Sequence, residues 1–215
     1  MPEESRLLRI GAEVAAFLLA ANCAGCGEPG LLLCPGCRSA LAPRAQESVT
    51  PAGLPVWSSL EFDGVAARCI RRLKGEGDTL IARPLGAALA SVLSPLVTSA
   101  TWIVPVPTSR AAFRRRGYRV PDLLVRRAHA DPQAVLTVEG ARPDQRGLGA
   151  RARQTNVRGA MRARHRGEGA EAVIVDDVIT TGATFDEAAR ALTVAGFRVV
   201  AAVALAATPL RGGFA

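Results

Sequence analysis

Two adjacent carboxylates followed by a threonine-rich turn are the residues with the clearest chemistry in this sequence. Asp176 and Asp177 follow an apolar run in the segment VIVDDVITTGAT, and the turn from Thr180 to Thr184 contains Gly182. A glycine permits close backbone approach, and the free amides at a helix start bind anions, so this turn is suited to a phosphate group. The carboxylates would repel that phosphate, and we therefore expect them to face hydroxyl donors or a divalent cation.

A phosphate, a vicinal diol and a metal ion together describe a ribose 5-phosphate. Ligands of parallel sheets bind beyond the carboxyl ends of the strands, and we expect a strand over 172–175 to end just before Asp176. The alternative interpretation is a solvated loop between a strand and a helix, with Asp177 as a helix cap. The whole twelve-residue pattern favours the ligand site over that alternative.

Near the start of the chain, four cysteines form two CxxC pairs separated by seven residues: Cys23, Cys26, Cys34 and Cys37. Four thiolates satisfy tetrahedral zinc and leave no open position, so we predict one structural zinc ion. The alternatives are two disulfides, or a redox role for the CPGC segment alone. A reducing compartment disfavours the disulfides, and the other CxxC pair is superfluous for a redox motif.

The amino-acid composition limits the classes of protein to which this chain can belong. The chain has 215 residues, with 49% hydrophobic and 21% charged residues, which excludes a disordered or fibrous protein. The formal net charge is +8, and Lys74 is the only lysine, so the basic charge is almost all arginine. The planar arginine fork suits phosphates, which favours anionic ligands.

The N-terminal segment GAEVAAFLLAANC superficially resembles a signal peptide. Glu13 interrupts its apolar run, and Asn22 is a poor residue before a lipidated Cys23. Apolar residues between Leu7 and Leu18 instead fit one side of an amphipathic helix. With no other segment expected to span a membrane, we predict a cytoplasmic protein.

Strand patterns alternate with helix patterns along the rest of the chain, which predicts an α/β fold with a parallel sheet covered by helices on both faces. Cys69 lies in line with Val65 and Leu73 at helical spacing, so it is expected in the core. Predicted strands cover 56–62, 102–107, 134–139, 172–175 and 197–207, and predicted helices cover 62–78, 79–97, 121–130 and 185–195. We expect a linker over 42–55 and a mobile loop over most of 140–170.

The segment VIVDDVITTGAT closely resembles the phosphoribosyl diphosphate (PRPP) signature of type I phosphoribosyltransferases. The other segments resemble the ComF family, named for competence for DNA uptake: the four-cysteine front end, FDGVAARCIRRLKGEGD, IVPVPTSRAAFRRRGY and QRGLGARARQTNVRGAM. This resemblance implies the type I phosphoribosyltransferase fold. It also implies an N-terminal helix and zinc-binding segment over 1–45 and a phosphoribosyltransferase-like domain over 56–215.

The resemblance further implies roles for individual residues. Asp176 and Asp177 would hold the ribose hydroxyls of PRPP, with Mg²⁺ bridging through PRPP oxygens. The 5-phosphate would be bound by Thr180, Thr181, Gly182, Ala183 and Thr184. The pyrophosphate loop would contain Pro107, Thr108 and Ser109, and a flexible lid would carry Gln145, Arg153 and Asn156. Lid arginines could then offset the charge that grows on the diphosphate leaving group.

The sequence departs from family patterns at two places. Relatives often carry an Asn-Gln pair after the RG-aromatic motif, where this chain has Arg119 and Val120. Enzymes that act on 6-oxopurines carry an acidic residue where this chain has Thr180. Threonine cannot act as that carboxylate base, which argues against the 6-oxopurine substrate class.

Two functions of different classes fit these features. The first is a PRPP-dependent pentosyltransferase, in which a nitrogen acceptor displaces pyrophosphate from C1 of the ribose. The second is a non-catalytic module that senses nucleotides, binds single-stranded DNA or docks to a competence helicase, the zinc segment serving as a docking surface. Phe113 and Tyr118 are interleaved with basic residues, a pattern typical of single-strand binding. The candidates for DNA or diphosphate contacts are Arg110, Arg114, Arg115 and Arg116.

Overall fold

The computed structural model describes residues 22–75, 77–138 and 159–209. Seven strands are formed in this part of the chain: β1 (Gln46–Val49), β2 (Pro55–Glu61), β3 (Trp102–Pro105), β4 (Leu136–Val138), β5 (Met161–Ala163), β6 (Glu171–Ile179) and β7 (Arg198–Ala207). Its α-helices are α1 (Pro35–Ala40), α2 (Gly64–Gly75), α3 (Ala82–Leu93), α4 (Arg110–Arg116), α5 (Val120–Arg127) and α6 (Ala183–Val194). Single 3₁₀ turns, Thr79–Ile81 and Ser94–Leu96, flank α3.

A five-stranded sheet in the order β1-β2-β7-β6-β3 forms the centre of the fold. Strands β2, β7, β6 and β3 are mutually parallel, and only the edge strand β1 runs antiparallel to its neighbour. The predicted α/β class with a mostly parallel sheet is therefore confirmed.

Helices cover both faces of this sheet, as the continuous apolar strands β6 and β7 require. Helices α2, α3 and α5 pack with Val173 and Val175 on one face. On the other face, α6 packs with Ile174 through Phe185 and Leu192. Successive β6 residues thus enter opposite cores, which follows from the two-residue period of a strand.

The linker predicted over 42–55 is wrong in its middle. Residues Gln46–Val49 form β1, which pairs with β2 in the register Gln46↔Ser58 to Val49↔Pro55. The three last residues of β1 are exposed, so the segment lacks the apolar alternation by which a strand is recognised.

The loop predicted over most of 140–170 is also wrong in part. Met161–Ala163 form β5, which pairs antiparallel with β4 in a separate two-stranded sheet. Three residues are too few to show a period, and the contact with β4 supplies the strand's hydrogen bonds. The part of the predicted loop before residue 159 lies outside the described residues.

Strand β6 is longer than predicted. It continues past Val175 to Ile179, and Asp176 lies opposite Ala204 of β7. The two aspartates therefore belong to the strand itself, and their backbone is fixed by the sheet ladder rather than by a loop.

One helical stretch of the described residues, Thr79–Leu96, is long and apolar enough to cross a membrane by length and composition. This differs from the expectation that only the N-terminal segment would resemble a span. The stretch includes α3, whose residues Leu85 and Leu89 are fully buried against the sheet, so it serves as a core helix here. The helix predicted between Leu7 and Leu18 lies outside the described residues.

Candidate functional site

The two adjacent aspartates lie near the carboxyl end of β6. Asp177 is buried, Asp176 is half-buried, and the amide of Asp177 donates to Oδ1 of Asp176 over 2.8 Å. Burial and the neighbouring charge of Asp177 raise the pKa of Asp176 well above its usual range, against the opposing effect of that amide and of Lys74. A cation or a hydroxyl donor that approaches the two carboxylates would therefore stabilise their charged forms.

Lys74 is a site residue that the sequence reasoning missed. It lies in the last turn of α2, and its Nζ is 2.7 Å from Oδ1 of Asp177. The sequence offered one signal, since the only lysine of an arginine-rich chain lies directly before Gly75, which closes the predicted helix. Nothing in the spacing between residues 74 and 177 indicated that these two would meet.

An open cavity of about 270 Å³ joins the aspartates to the loop after β3. Of the predicted residues, it brings together Asp176, Asp177, Pro107, Thr108, Ser109 and Arg116, and the structure adds Lys74. The loop is held on both sides. The Val106 amide donates to the Val175 carbonyl over 2.8 Å, and Ser109 Oγ caps α4 by accepting from the Ala112 amide over 3.3 Å.

Arg116 differs from the other arginines of α4 because it lines this cavity. Its Nε is buried and has no hydrogen-bond partner in the described part of the chain. A buried donor without a partner is costly, and the Arg116 guanidinium places a positive charge at the edge of this cavity.

The turn from Thr180 to Thr184 leads from β6 into α6 but does not line that cavity. Gly182 has φ of 79°, a left-handed conformation that suits glycine. The hairpin turn between β1 and β2 packs onto it, because a Cβ at Gly182 would lie 3.1 Å from both Pro51 Cδ and Thr50 Cβ. The Ala52 amide also donates to Oδ2 of Asp186 over 3.3 Å. The predicted phosphate loop is therefore braced by a hairpin that the sequence did not reveal.

The remaining predicted basic residues lie elsewhere. Arg110, Arg114 and Arg115 are exposed on α4, and Arg110 lines a separate cavity of about 130 Å³. Arg119 stacks over the ring of Phe113 at 5.5 Å. The predicted lid residues Gln145, Arg153 and Asn156 lie outside the described residues.

The sulfur atoms of the four cysteines form a compact cluster. The Sγ atoms of Cys23, Cys26, Cys34 and Cys37 all lie within 4.8 Å of one another, and those of Cys26 and Cys34 are 3.8 Å apart. Zinc–sulfur bonds of about 2.3 Å place tetrahedral ligands roughly 3.8 Å apart, so this donor set fits a zinc ion. Amides of Cys34 and Cys37 donate to sulfurs at 3.3 and 3.4 Å, which stabilises thiolates.

Two thiols of this cluster, Cys23 and Cys37, have pKa values that shift in opposite directions. Burial acts to raise the pKa of Cys23, but backbone amides outweigh it and lower that pKa to about 6. Burial and the neighbouring sulfurs raise the pKa of Cys37. Full deprotonation of the set therefore needs a cation among the sulfurs. Cys69 is fully buried in the core, as predicted.

This four-cysteine segment is fastened to α2. A Cβ on Gly25 would lie 2.5 Å from Cys37 Sγ and 2.9 Å from Val65 Cγ1, so the segment approaches the helix as closely as a glycine allows. Arg68 Nε donates to the Gly25 carbonyl, and Arg72 donates to the Asn22 carbonyl over 3.0 Å. Two arginines of α2 thus bind the backbone of the segment that carries the sulfurs.

A parallel sheet with an acidic pair on a central strand and a threonine-rich turn after it agrees with the predicted resemblance to phosphoribosyltransferases. Residues 113–213 match the family model of the phosphoribosyl transferase domain. This match covers slightly less than half of the chain, so it makes the C-terminal part of the chain similar to that family.

The similar proteins include the DNA utilization protein YhgH of Escherichia coli (strain K12), which is 40% identical over 96 residues. The match covers 42% of this chain and 42% of that relative, so it spans less than half of the relative's length. Among solved structures, an orotate phosphoribosyltransferase from Aeropyrum pernix is 19% identical over 79% of this chain and 78% of its own, with a TM-score of 0.35. An adenine phosphoribosyltransferase from Rhodothermus marinus is 18% identical over 79% and 85%, with a TM-score of 0.38.

Proposed function

We propose that this protein binds PRPP together with Mg²⁺ and transfers the phosphoribosyl group to a nitrogen acceptor. The observation that carries the proposal is the cavity in which Asp176 and Asp177 face Thr108, Ser109 and two cationic side chains. A carboxylate pair beside hydroxyl and cationic donors matches a ligand with a diol at one end and a diphosphate at the other.

Each group of residues has a defined part in the proposed reaction. Asp176 and Asp177 accept hydrogen bonds from the ribose hydroxyls, and the carboxylates are the ligand type that Mg²⁺ prefers. The turn from Thr180 to Thr184 donates to the 5-phosphate. The loop with Thr108 and Ser109 donates to the diphosphate. The bond from C1 to the diphosphate oxygen breaks with its electron pair on oxygen, the acceptor nitrogen bonds to C1, and the acceptor's proton passes to solvent.

The test is calorimetric titration of PRPP with Mg²⁺ into the zinc-loaded protein, its Asp177→Asn variant and the control Asp131→Asn. Asp131 is exposed and lines neither cavity. We expect binding by the wild type and the control, and a loss of about tenfold or more for Asp177→Asn, because one charged acceptor is removed. A wild type that does not bind PRPP would refute the proposal. Binding would be followed by a screen of acceptors for pyrophosphate release.

A second candidate function is the binding of single-stranded DNA through α4. Arg110, Arg114 and Arg115 are exposed there, and Phe113 is 42% exposed beside Arg119. Arginines with an accessible ring suit a stacked, phosphate-bearing strand, and the similar E. coli protein is named for DNA utilization.

The DNA proposal predicts that binding of an oligonucleotide falls steeply with salt concentration. The double variant of Arg114 and Arg115 to glutamine should reduce the slope of log affinity against log salt, while Arg83→Gln on α3 should leave it unchanged. Absent or salt-insensitive binding would remove this candidate.

Docking of the four-cysteine segment to a competence helicase belongs to the same proposal, and a direct binding assay with that helicase would test it. Cysteines that serve as metal ligands rather than as disulfides support the proposed cytoplasmic setting.

A further inference from the structure

The contact between Lys74 and Asp177 places a cation where the proposed ligand would need the carboxylate. The Nζ of Lys74 is 2.7 Å from Asp177 Oδ1, and both residues line the cavity that also contains Thr108 and Ser109. The lysine side chain is 36% exposed, whereas that of Asp177 is 11% exposed. The carboxylate is therefore fixed in the strand, and the ammonium is the partner with freedom to move.

We infer that Lys74 is a transferable cation, which neutralises Asp177 in the ligand-free site and donates to the diphosphate group of the bound ligand. This inference rests on the proposed function and adds a binding residue to it. After the transfer, Asp177 is left to the ribose hydroxyls and Mg²⁺.

Electrostatics favour the ligand-free contact. Two carboxylates adjacent in β6 repel each other in a partly buried place, and an ammonium at hydrogen-bond distance offsets this repulsion. An ammonium and a divalent cation on the same carboxylate oxygen would repel in turn. Binding of the metal-bound ligand therefore requires Nζ to leave Asp177.

The geometry gives the ammonium a destination. A lysine carries its charge at the end of a flexible four-carbon stem, so Nζ can shift by several ångströms without movement of α2. The diphosphate loop lies across the same cavity, and the Nε of Arg116 there has no hydrogen-bond partner in the described part of the chain. Lys74 and Arg116 together would supply two positive charges to a diphosphate.

The test compares three probes, each titrated with Mg²⁺ by calorimetry: PRPP, inorganic diphosphate and ribose 5-phosphate. The variants are Lys74→Met and Lys74→Arg, and Arg71→Met is the control. Arg71 lies on the same helix but stacks on Phe62 outside the cavity. A fourth measurement follows Mn²⁺ binding to the ligand-free protein by electron paramagnetic resonance.

We expect Lys74→Met to weaken PRPP and diphosphate binding by about tenfold to a hundredfold, the effect of one charge-assisted hydrogen bond. Ribose 5-phosphate should bind Lys74→Met at least as tightly as the wild type, and Mn²⁺ should bind it more tightly, because a competing cation is gone. Lys74→Arg should restore part of the diphosphate binding.

Three outcomes would overturn the inference. Equal binding of PRPP by the wild type and Lys74→Met would remove Lys74 from the ligand site and leave the proposed function intact. Equal losses for PRPP and ribose 5-phosphate would mean that Lys74 only holds Asp177 in place. A wild type that binds none of the probes would refute the proposed function, and the inference with it.

Discussion

The carboxylate of Glu187 offers a sharp test of how β5 is held to α6. Glu187 is 3% exposed, and its Oε1 accepts from the Met161 amide over 2.9 Å. Both of its oxygens also accept from Arg190 at 2.8 Å, and Arg190 donates to the Met161 carbonyl over 3.0 Å. One buried carboxylate thus joins a helix, a strand and an arginine, and we predict that Glu187→Gln destabilises the protein.

The expected magnitude follows from these contacts. Loss of one partner from a buried ion pair costs about 3–5 kcal/mol. The Arg190 side chain is 45% exposed, so water compensates part of that loss. Glutamine keeps the size of the side chain and an acceptor for the Met161 amide. We therefore expect the free energy of unfolding to fall by about 2 kcal/mol, the range of one charge-assisted hydrogen bond.

The assay is urea unfolding followed by circular dichroism, with Glu171→Gln as the control. Glu171 also pairs with an arginine, Arg198, but that pair is exposed, so the control should lose less than about 1 kcal/mol. Equal losses in the two variants, or a loss below about 0.5 kcal/mol for Glu187→Gln, would refute the distinction between the two ion pairs.

The ion pair between Glu187 and Arg190 makes the free energy of unfolding depend on pH. Burial acts to raise the pKa of Glu187, but the Arg190 hydrogen bonds and the amides of Met161 and Gly159 outweigh it and lower that pKa. A lowered folded-state pKa means that the stabilisation is complete above the unfolded pKa of about 4.3 and is lost as the pH falls below it. The difference between wild type and Glu187→Gln should therefore be constant near neutral pH and shrink below about pH 4.

Three further predictions concern the metal cluster and the glycines. Elemental analysis should find about one zinc ion per chain, and Cys26→Ser should lower that content; a metal-free protein with intact folding would contradict the zinc site. Gly182→Ala should lower the free energy of unfolding by about 1–2 kcal/mol, because its φ is 79° and Pro51 is 3.1 Å from the added Cβ; an unchanged melting temperature would contradict this. Gly86→Ala should cost about 1–3 kcal/mol, because its Cβ would overlap Arg127 across two helices, whereas Gly75→Ala meets open space and should be neutral by the same melting assay.

Elements with strong internal patterns could be predicted from the sequence. The line of Val65, Cys69 and Leu73 predicts α2. In the structure Cys69 and Leu73 are buried and Val65 is half-buried, as the helical period requires. The apolar run of β7 likewise marks a strand buried on both faces. In both cases the residue's own chemistry determines which side it presents to the core.

Elements defined by their partners could not be predicted in this way. Strand β1 is polar and exists because β2 offers it a ladder, and β5 is three residues long beside β4. The apolar run ends at Val175 and so predicts a strand that stops before the aspartates, but pairing with β7 extends β6 past them. The sequence does not predict the contact between Lys74 and Asp177, because this contact depends on how α2 packs onto the sheet.

Helix α2 explains why the four-cysteine segment and the acidic pair occur in one chain. Arg68 and Arg72 on this helix hold the backbone of the cysteine segment, and Ile70 is fully buried in the core below. Its last turn carries Lys74 to Asp177. Because Cys23 and Cys37 are buried in the same apolar cluster as α2, any shift of the cysteine segment would move the helix that positions the lysine. A cluster of cysteines that closes around a metal would therefore help to fix the helix from which Lys74 reaches Asp177.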